Sequence, residues 1–174
     1  YLKHLIISGF THQSVDGQSP QEQLLAIRKH IMYDLVTQRT IYVGLVAELQ
    51  RQDIFIYEFD ELGLDDQDYL NSYFKRKVFP VLTPLSVDPG HPFPFISNLS
   101  YSIGMILKNP TTEAILFSRV KIPEVIPGLI QMPKSEGEKK IRFVTTLSLV
   151  HSNLHMLYPG MEIQQTVPFR VSRN

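Results

Sequence analysis

Four basic side chains are candidates for contact with a polyanion, because they occur in apolar, strand-like segments. Residues alternate between the two faces of a strand, so Arg119 and Lys121 share one face with Phe117. Cations in that position either line a groove or protect the edge of a sheet. We therefore predict polyanion contacts, with a protected sheet edge as the alternative, at Arg119, Lys121, Arg170 and Arg173.

Other residue patterns give weaker indications of chemistry. His151 and His155 have a spacing that places two imidazoles on one helix face, but no third ligand follows at metal spacing. The nine glycines match neither the dinucleotide-binding pattern nor the phosphate loop. Asp88 and His91 resemble an acid–base pair, although turn chemistry explains Asp-Pro-Gly-His equally well. We therefore predict no catalytic, cofactor-binding or metal-binding residue in this chain.

Two further basic clusters have ordinary structural explanations. Residues 75–77, Lys-Arg-Lys, close a predicted helix that begins at Asp65 and Asp66, so the charges at both ends match the helix dipole. Such a charge run usually forms a solvated face, and a phosphate site is the alternative. The second cluster consists of Lys139, Lys140 and Arg142.

The composition limits the classes to which this chain could belong. Seventeen basic and seventeen acidic residues cancel, so no overall field favours nucleic acid or an anionic membrane, and any polyanion-binding surface must be local. The 174 residues include no cysteine, which removes disulfides and thiolate catalysis and fits a reducing compartment. No stretch approaches the ~20 apolar residues needed to span a bilayer, so we expect no membrane span.

A long amphipathic helix is predicted in the first third of the chain. Ser19 is suited to cap it, Pro20 to its first turn, and Glu22 to reach back to the cap amide. A helix of roughly thirty residues normally packs its apolar stripe against other helices, so we expect a helical domain whose earlier helices are absent. The helix should end near Gln52. Its apolar residues recur at spacings of three, four and seven: Leu24, Ile27, Ile31, Leu35, Tyr42, Leu45 and Leu49.

The remaining sequence predicts a sheet with short helices. Residues 54–57 resemble a strand, and we place the domain boundary directly after Tyr57. The pattern is α+β: a long-helix remnant of a helical domain, followed by a mixed, mostly antiparallel sheet domain with short helices. Further predicted elements are a hairpin at 101–107 and 114–120 with its turn at Asn109-Pro110, a strand at 141–144, a helix at 147–157, and strands at 161–164 and 169–173.

Residues 79–100 are distinctive because five prolines alternate there with large apolar side chains. Each proline ring fixes φ and removes a backbone donor, so neither a helix nor an interior strand is expected. Disordered proline-rich linkers carry polar residues between their prolines, whereas this segment carries valine, leucine, phenylalanine and isoleucine. We therefore predict an ordered, largely buried connector with an irregular path.

Residues 78–100, VFPVLTPLSVDPGHPFPFISNLS, closely resemble the signature run in the middle of bacterial polyphosphate kinase. Residues 19–24 and the helix that follows also resemble the end of that family's N-terminal helical domain. The resemblance covers nearly the whole chain and is weakest over residues 1–18. Three more segments match the family in the same order: residues 118–123, 157–162 and 169–174.

The resemblance implies a parent enzyme that uses ATP and magnesium and transfers the terminal phosphate of ATP to inorganic polyphosphate through a phosphohistidine. It assigns residues 1–57 to the C-terminal part of the N-terminal helical domain, and residues 58–174 to the head, or middle, domain, truncated at its C-terminal end. The family's phosphohistidine lies beyond Asn174. We therefore expect the isolated segment to be inactive, and the parent to bind ATP and polyphosphate through the missing catalytic domains.

In the family, the head domain makes dimer contacts and helps to frame the passage to the active site. We therefore expect a homo-oligomeric, cytoplasmic parent with no nucleic-acid partner; membrane association through the parent complex is an alternative location. A free-standing interaction or polyanion-binding module with the same head fold remains a second hypothesis. The two hypotheses differ in whether the parent reading frame continues past Asn174 into a histidine-bearing catalytic region.

Overall fold

A computed structural model describes residues 1–10, 13–87, 96–134 and 137–172. The chain divides into two compact units, Tyr1–Gln52 and Asp53–Asn174. This division falls earlier than the boundary predicted after Tyr57, because the strand at Ile54–Tyr57 pairs with a strand of the second unit. Within the described residues, helices long and apolar enough to cross a membrane are absent.

The first unit consists of α1, Leu2–Ile7, and the long helix α2, Pro20–Arg51. The predicted cap of α2 is confirmed: the Glu22 amide donates to Ser19 Oγ at 3.3 Å, and the Ser19 amide donates to Glu22 Oε2 at 2.8 Å. Much of the apolar stripe is exposed, including Leu35 at 50% and Leu45 at 59%. The cap is formed by residues of the first turn alone, so its signal lies in adjacent sequence.

The second unit contains seven strands and two α-helices among the described residues, together with shorter helical turns. The helix predicted to begin at Asp65 is confirmed, and its basic end, the Lys-Arg-Lys run, lies in a π-helical turn at Phe74–Val78. In chain order the elements are β1 Ile54–Tyr57, α3 Leu64–Tyr73, β2 Thr83–Val87, β3 Tyr101–Lys108, β4 Ile115–Lys121, β5 Leu129–Gln131, β6 Ile141–Thr145, α4 Thr146–Ser152 and β7 Glu162–Arg170.

The strands form two sheets, which confirms the predicted α+β class. A three-stranded sheet has the order β1-β6-β5, with β1 parallel and β5 antiparallel to β6. A four-stranded antiparallel sheet has the order β2-β4-β3-β7. The predicted hairpin is β3 and β4, and the Asn109 side chain accepts from the amides of Thr111 and Thr112 at 2.9 and 3.1 Å, which closes its turn.

Two predictions about the proline-containing segments were wrong. The strands predicted at 161–164 and 169–173 are one strand, β7, which contains Pro168. The irregular path predicted for residues 79–100 is wrong at β2, a regular strand that contains Pro84. Both strands are at edges of the four-stranded sheet, where a residue without an amide hydrogen need not break a ladder.

The connector at residues 79–100 is also less buried than predicted. Leu82 and Ile96 are buried, but Phe79, Val81 and Leu85 are about two-fifths exposed. Phe79 and Val81 lie in a single 3-10 turn, and Leu85 lies in the edge strand β2, which has a neighbour on one side only. Residues 88–95, which include Asp88 and His91, lie outside the described residues.

The core of the second unit covers one face of the four-stranded sheet. Ile103, Met105 and Leu107 of β3 are fully buried in a cluster that also includes Leu149 of α4 and Phe74. Because side chains alternate along β3, the intervening residues face the opposite side of the sheet. That second face, which we call the outer face, carries Ser102, Gly104 and Ile106 of β3 together with Phe117, Arg119 and Lys121 of β4.

Candidate anion-binding site

Arg119 is the most buried cation described on the outer face. It lies in β4 between Gly104 of β3 and Leu85 of β2, and the residue is 2% exposed. Its Nε donates a hydrogen bond to Ser102 Oγ at 3.0 Å. No carboxylate of the described residues forms an ion pair with it. Burial lowers the pKa of Arg119 from its ordinary value, which is the expected response of a desolvated cation.

Lys121 lies two residues further along β4 and therefore on the same face. It is partly buried, and its Nζ lies 3.5 Å from Ser97 Oγ. Both cations line a cavity of about 250 Å³, which we call the cation cavity. The described residues that line this cavity are two cations, two hydroxyl side chains and three apolar residues, with no carboxylate among them: Val81, Thr83, Leu85, Ser97, Arg119, Lys121 and Pro123.

This arrangement favours an oxyanion over a neutral or cationic ligand. A guanidinium offers a planar fork of donors that matches phosphate or carboxylate, and an ammonium adds a mobile point charge. Hydrogen bonds between ionised groups are shorter and stronger than neutral ones. A buried cation with no counter-charge is costly, and a bound anion would offset that cost.

The edge strand β2 forms one wall of the cation cavity and is held by a buried hydroxyl pair. Ser118 Oγ donates to the Leu85 carbonyl at 3.0 Å. The Tyr158 hydroxyl lies 2.7 Å from the same Oγ. A serine hydroxyl has one hydrogen, so Tyr158 is the donor when Ser118 is bonded to Leu85. Burial raises the pKa of Tyr158, and this outweighs the opposing effect of Ser118 on the phenolate.

The structure does not place Arg170 with Arg119 and Lys121. Arg170 pairs with Tyr101, which lies on the opposite side of β3 from Ser102. Its guanidinium packs 5.0 Å from the centroid of the Tyr101 ring, and its Nε donates to the Leu99 carbonyl at 3.0 Å. Arg173 lies outside the described residues. The four predicted contacts therefore do not form one site among the described residues.

In the basic cluster of Lys139, Lys140 and Arg142, two members make contacts within the chain. Arg142 forms ion pairs with Asp66 at 2.5 Å and Glu138 at 3.4 Å. Lys140 lies 5.4 Å from the centroid of the Phe55 ring. These contacts join β6 to neighbouring elements, which is a structural role.

The two histidines of the last predicted helix are also placed by the structure. His151 Nε2 lies 2.8 Å from Thr166 Oγ1 of β7. His155 is exposed on the short turn after α4. In the described part of the chain, no group of three histidine, cysteine or acidic residues could hold a metal ion.

Sequence reasoning missed the hydroxyl residues of the cation cavity. Ser102, which accepts from Arg119 but does not line the cavity, was the available signal, because it interrupts an otherwise apolar strand at a position opposite Lys121. Thr83 and Ser97 carried no such signal, because Thr83 lies opposite Lys121 only through the pairing of β2 with β4, and Ser97 approaches Lys121 from outside the strands. A pairing register was needed to recognise them.

Comparison with known proteins identifies the fold first. A crystal structure of polyphosphate kinase from Porphyromonas gingivalis superposes with a TM-score of 0.75 at 23% identity, over 86% of this chain and 25% of that one. The shared fold is the α+β arrangement described above.

Sequence comparison then gives the family. The family model for the polyphosphate kinase middle domain matches residues 65–174. The polyphosphate kinases of Aphanizomenon baltica and Thermosynechococcus vestitus are 42% and 38% identical to this chain, and each alignment covers 99% of it. The chain spans 46% and 24% of their respective lengths. This chain belongs to the polyphosphate kinase family, whose middle domain it contains.

Proposed function

We propose that the chain is part of an enzyme that transfers the terminal phosphate of ATP to inorganic polyphosphate through a phosphohistidine, with magnesium as cofactor. The match of residues 65–174 to the family's middle domain is the observation that carries this proposal. In it, the first unit ends an N-terminal helical domain, and the second unit, which includes β1, forms the head. The parent acts in the cytoplasm.

Within that enzyme, the segment has a structural role and performs no chemistry of its own. Covalent phosphoryl transfer needs a nucleophile with an activating neighbour and cations placed around the phosphate. His151 pairs with a threonine hydroxyl, and the cation cavity has no described histidine in its lining. We therefore expect ATP and polyphosphate to react in domains other than those represented here.

The segment also supports dimerisation and frames the passage to the active site. The outer face of the four-stranded sheet presents large apolar side chains, including Val167, which is 49% exposed beside Gly104. A two-fold symmetric interface is the commonest way for a protein to bury such a surface. Sedimentation of the full-length parent should therefore show a dimer, and Val167→Asp should weaken it. The matched control Val125→Asp changes a 78% exposed loop residue and should leave the dimer intact.

The activity test compares the full-length parent with the 174-residue chain. The parent should form polyphosphate from ATP and magnesium, and the chain alone should form none. Turnover by the 174-residue chain would show that the segment is itself catalytic. A parent without this activity would contradict the proposed reaction.

The alternative is a free-standing polyanion-binding module with the head fold. The cation cavity is the observation that favours it, because a binding site of this kind does not require catalytic domains. The parent gene distinguishes the two proposals. A reading frame that ends at Asn174 supports the module, and one that continues into a histidine-bearing catalytic region supports the enzyme.

A further inference from the structure

We propose that the cation cavity is a binding site for a phosphoryl segment, in which the Arg119 guanidinium and the Lys121 ammonium hold the phosphate oxygens. Inorganic polyphosphate and the triphosphate of a nucleotide both present this chemistry. The choice between these two ligands rests on the proposed function of the parent enzyme. The presence of an anion site follows from the cavity itself.

The burial of Arg119 is the first argument for this site. A charged side chain that is 2% exposed normally has a carboxylate or several hydrogen-bond acceptors around it. Arg119 has the Ser102 hydroxyl at its Nε, and no described carboxylate pairs with it. The terminal nitrogens of the guanidinium are therefore available to a ligand in the cavity that Arg119 lines.

The rest of the lining is the second argument. Lys121 adds another positive charge that has no ion-pair partner among the described residues. Thr83 and Ser97 add hydroxyl groups, which donate readily to phosphate oxygens. The described lining offers no carboxylate to repel an anion. The remaining residues are apolar and reduce the competition from water.

Both cations are positioned by regular structure. They are two residues apart on β4, so the pleat places them on one face, and β4 is paired on both sides by β2 and β3. Ser118, on the opposite face of β4, ties β2 in place through the Leu85 carbonyl. The cations are thus preorganised for one extended anion.

The test is calorimetric titration of the 174-residue chain with inorganic tripolyphosphate and, separately, with ATP. Lys121→Gln should weaken tripolyphosphate binding by about tenfold, because one charged contact is lost. Lys77→Gln is the matched control: it removes the same charge from the exposed π-helical turn and should change affinity less than twofold. Arg119→Met should abolish the rise in Tm that tripolyphosphate produces in the unmodified chain.

Tighter binding of tripolyphosphate than of ATP would assign the site to the inorganic polymer, and the reverse order would assign it to the nucleotide tail. The proposal is overturned if neither ligand binds, or if Lys121→Gln and Lys77→Gln reduce affinity equally. Lys121 is only partly buried, so this comparison stands even if Arg119→Met does not fold. The assay measures binding without turnover, so its result is separable from the kinase activity of the parent.

Discussion

Replacement of Tyr158 by phenylalanine should destabilise the second unit and remove part of its sensitivity to high pH. Tyr158 is 8% exposed, and its hydroxyl lies 2.7 Å from Ser118 Oγ. Loss of one such hydrogen bond costs about 1 kcal/mol of unfolding free energy. Ser118 keeps its bond to the Leu85 carbonyl, so the cost should not approach that of an orphaned buried hydroxyl.

The pH dependence follows from the raised pKa of Tyr158. Burial disfavours the phenolate in the folded state, so the unfolded chain loses this proton first as the pH rises above the ordinary value of 10.0. The stabilisation is complete below that pH and declines above it, by at most ~1.4 kcal/mol per pH unit. Phenylalanine has no ionisable hydroxyl, so the stability of the Tyr158→Phe variant lacks this decline. The stability gap between the two proteins should therefore narrow at high pH.

Urea unfolding, read from the methyl resonance of the buried Met105, isolates the second unit from the long helix. Tyr69→Phe is the control, because Tyr69 is 38% exposed on α3 and should respond weakly. Equal effects of Tyr158→Phe and Tyr69→Phe would refute the argument. A gap that stays constant from about pH 9 to about pH 11 would refute the assigned ionisation.

Three further predictions concern the first turn of α2 and the core of the second unit. Ser19→Ala should speed amide exchange in the first turn of α2, because its capping bonds are lost. The Ser19 hydroxyl and amide lower the pKa of Glu22, so the stabilisation of α2 by the ionised Glu22 carboxylate is complete above pH 4.5. This stabilisation should be lost as the pH falls through the depressed pKa. Leu149→Ala, in the core, should cost about 3 kcal/mol of unfolding free energy by urea titration, and Leu64→Ala, at a residue 79% exposed, should cost far less.

Local chemistry was enough to predict several elements. The cap at Ser19 and the hairpin turn at Asn109 depend on hydrogen bonds within a few residues, so their signals lie in adjacent sequence. The burial of residues 79–100 was predicted wrongly, because exposure depends on which elements pack against a segment. The position of β2 at a sheet edge is a consequence of pairing with β4, and no residue of β2 specifies that partner alone.

The sequence by itself determined the long capped helix, the α+β class, the hairpin, and the alternation that puts Arg119 and Lys121 on one strand face. Only the tertiary structure decided that this face lines a cavity together with Thr83 and Ser97, and that Arg170 is paired with Tyr101, on the opposite face of β3 from Ser102. The physical reason is the range of the interactions. Periodicity and capping act over a few residues, whereas burial and charge depend on strand register, which joins residues far apart in the chain.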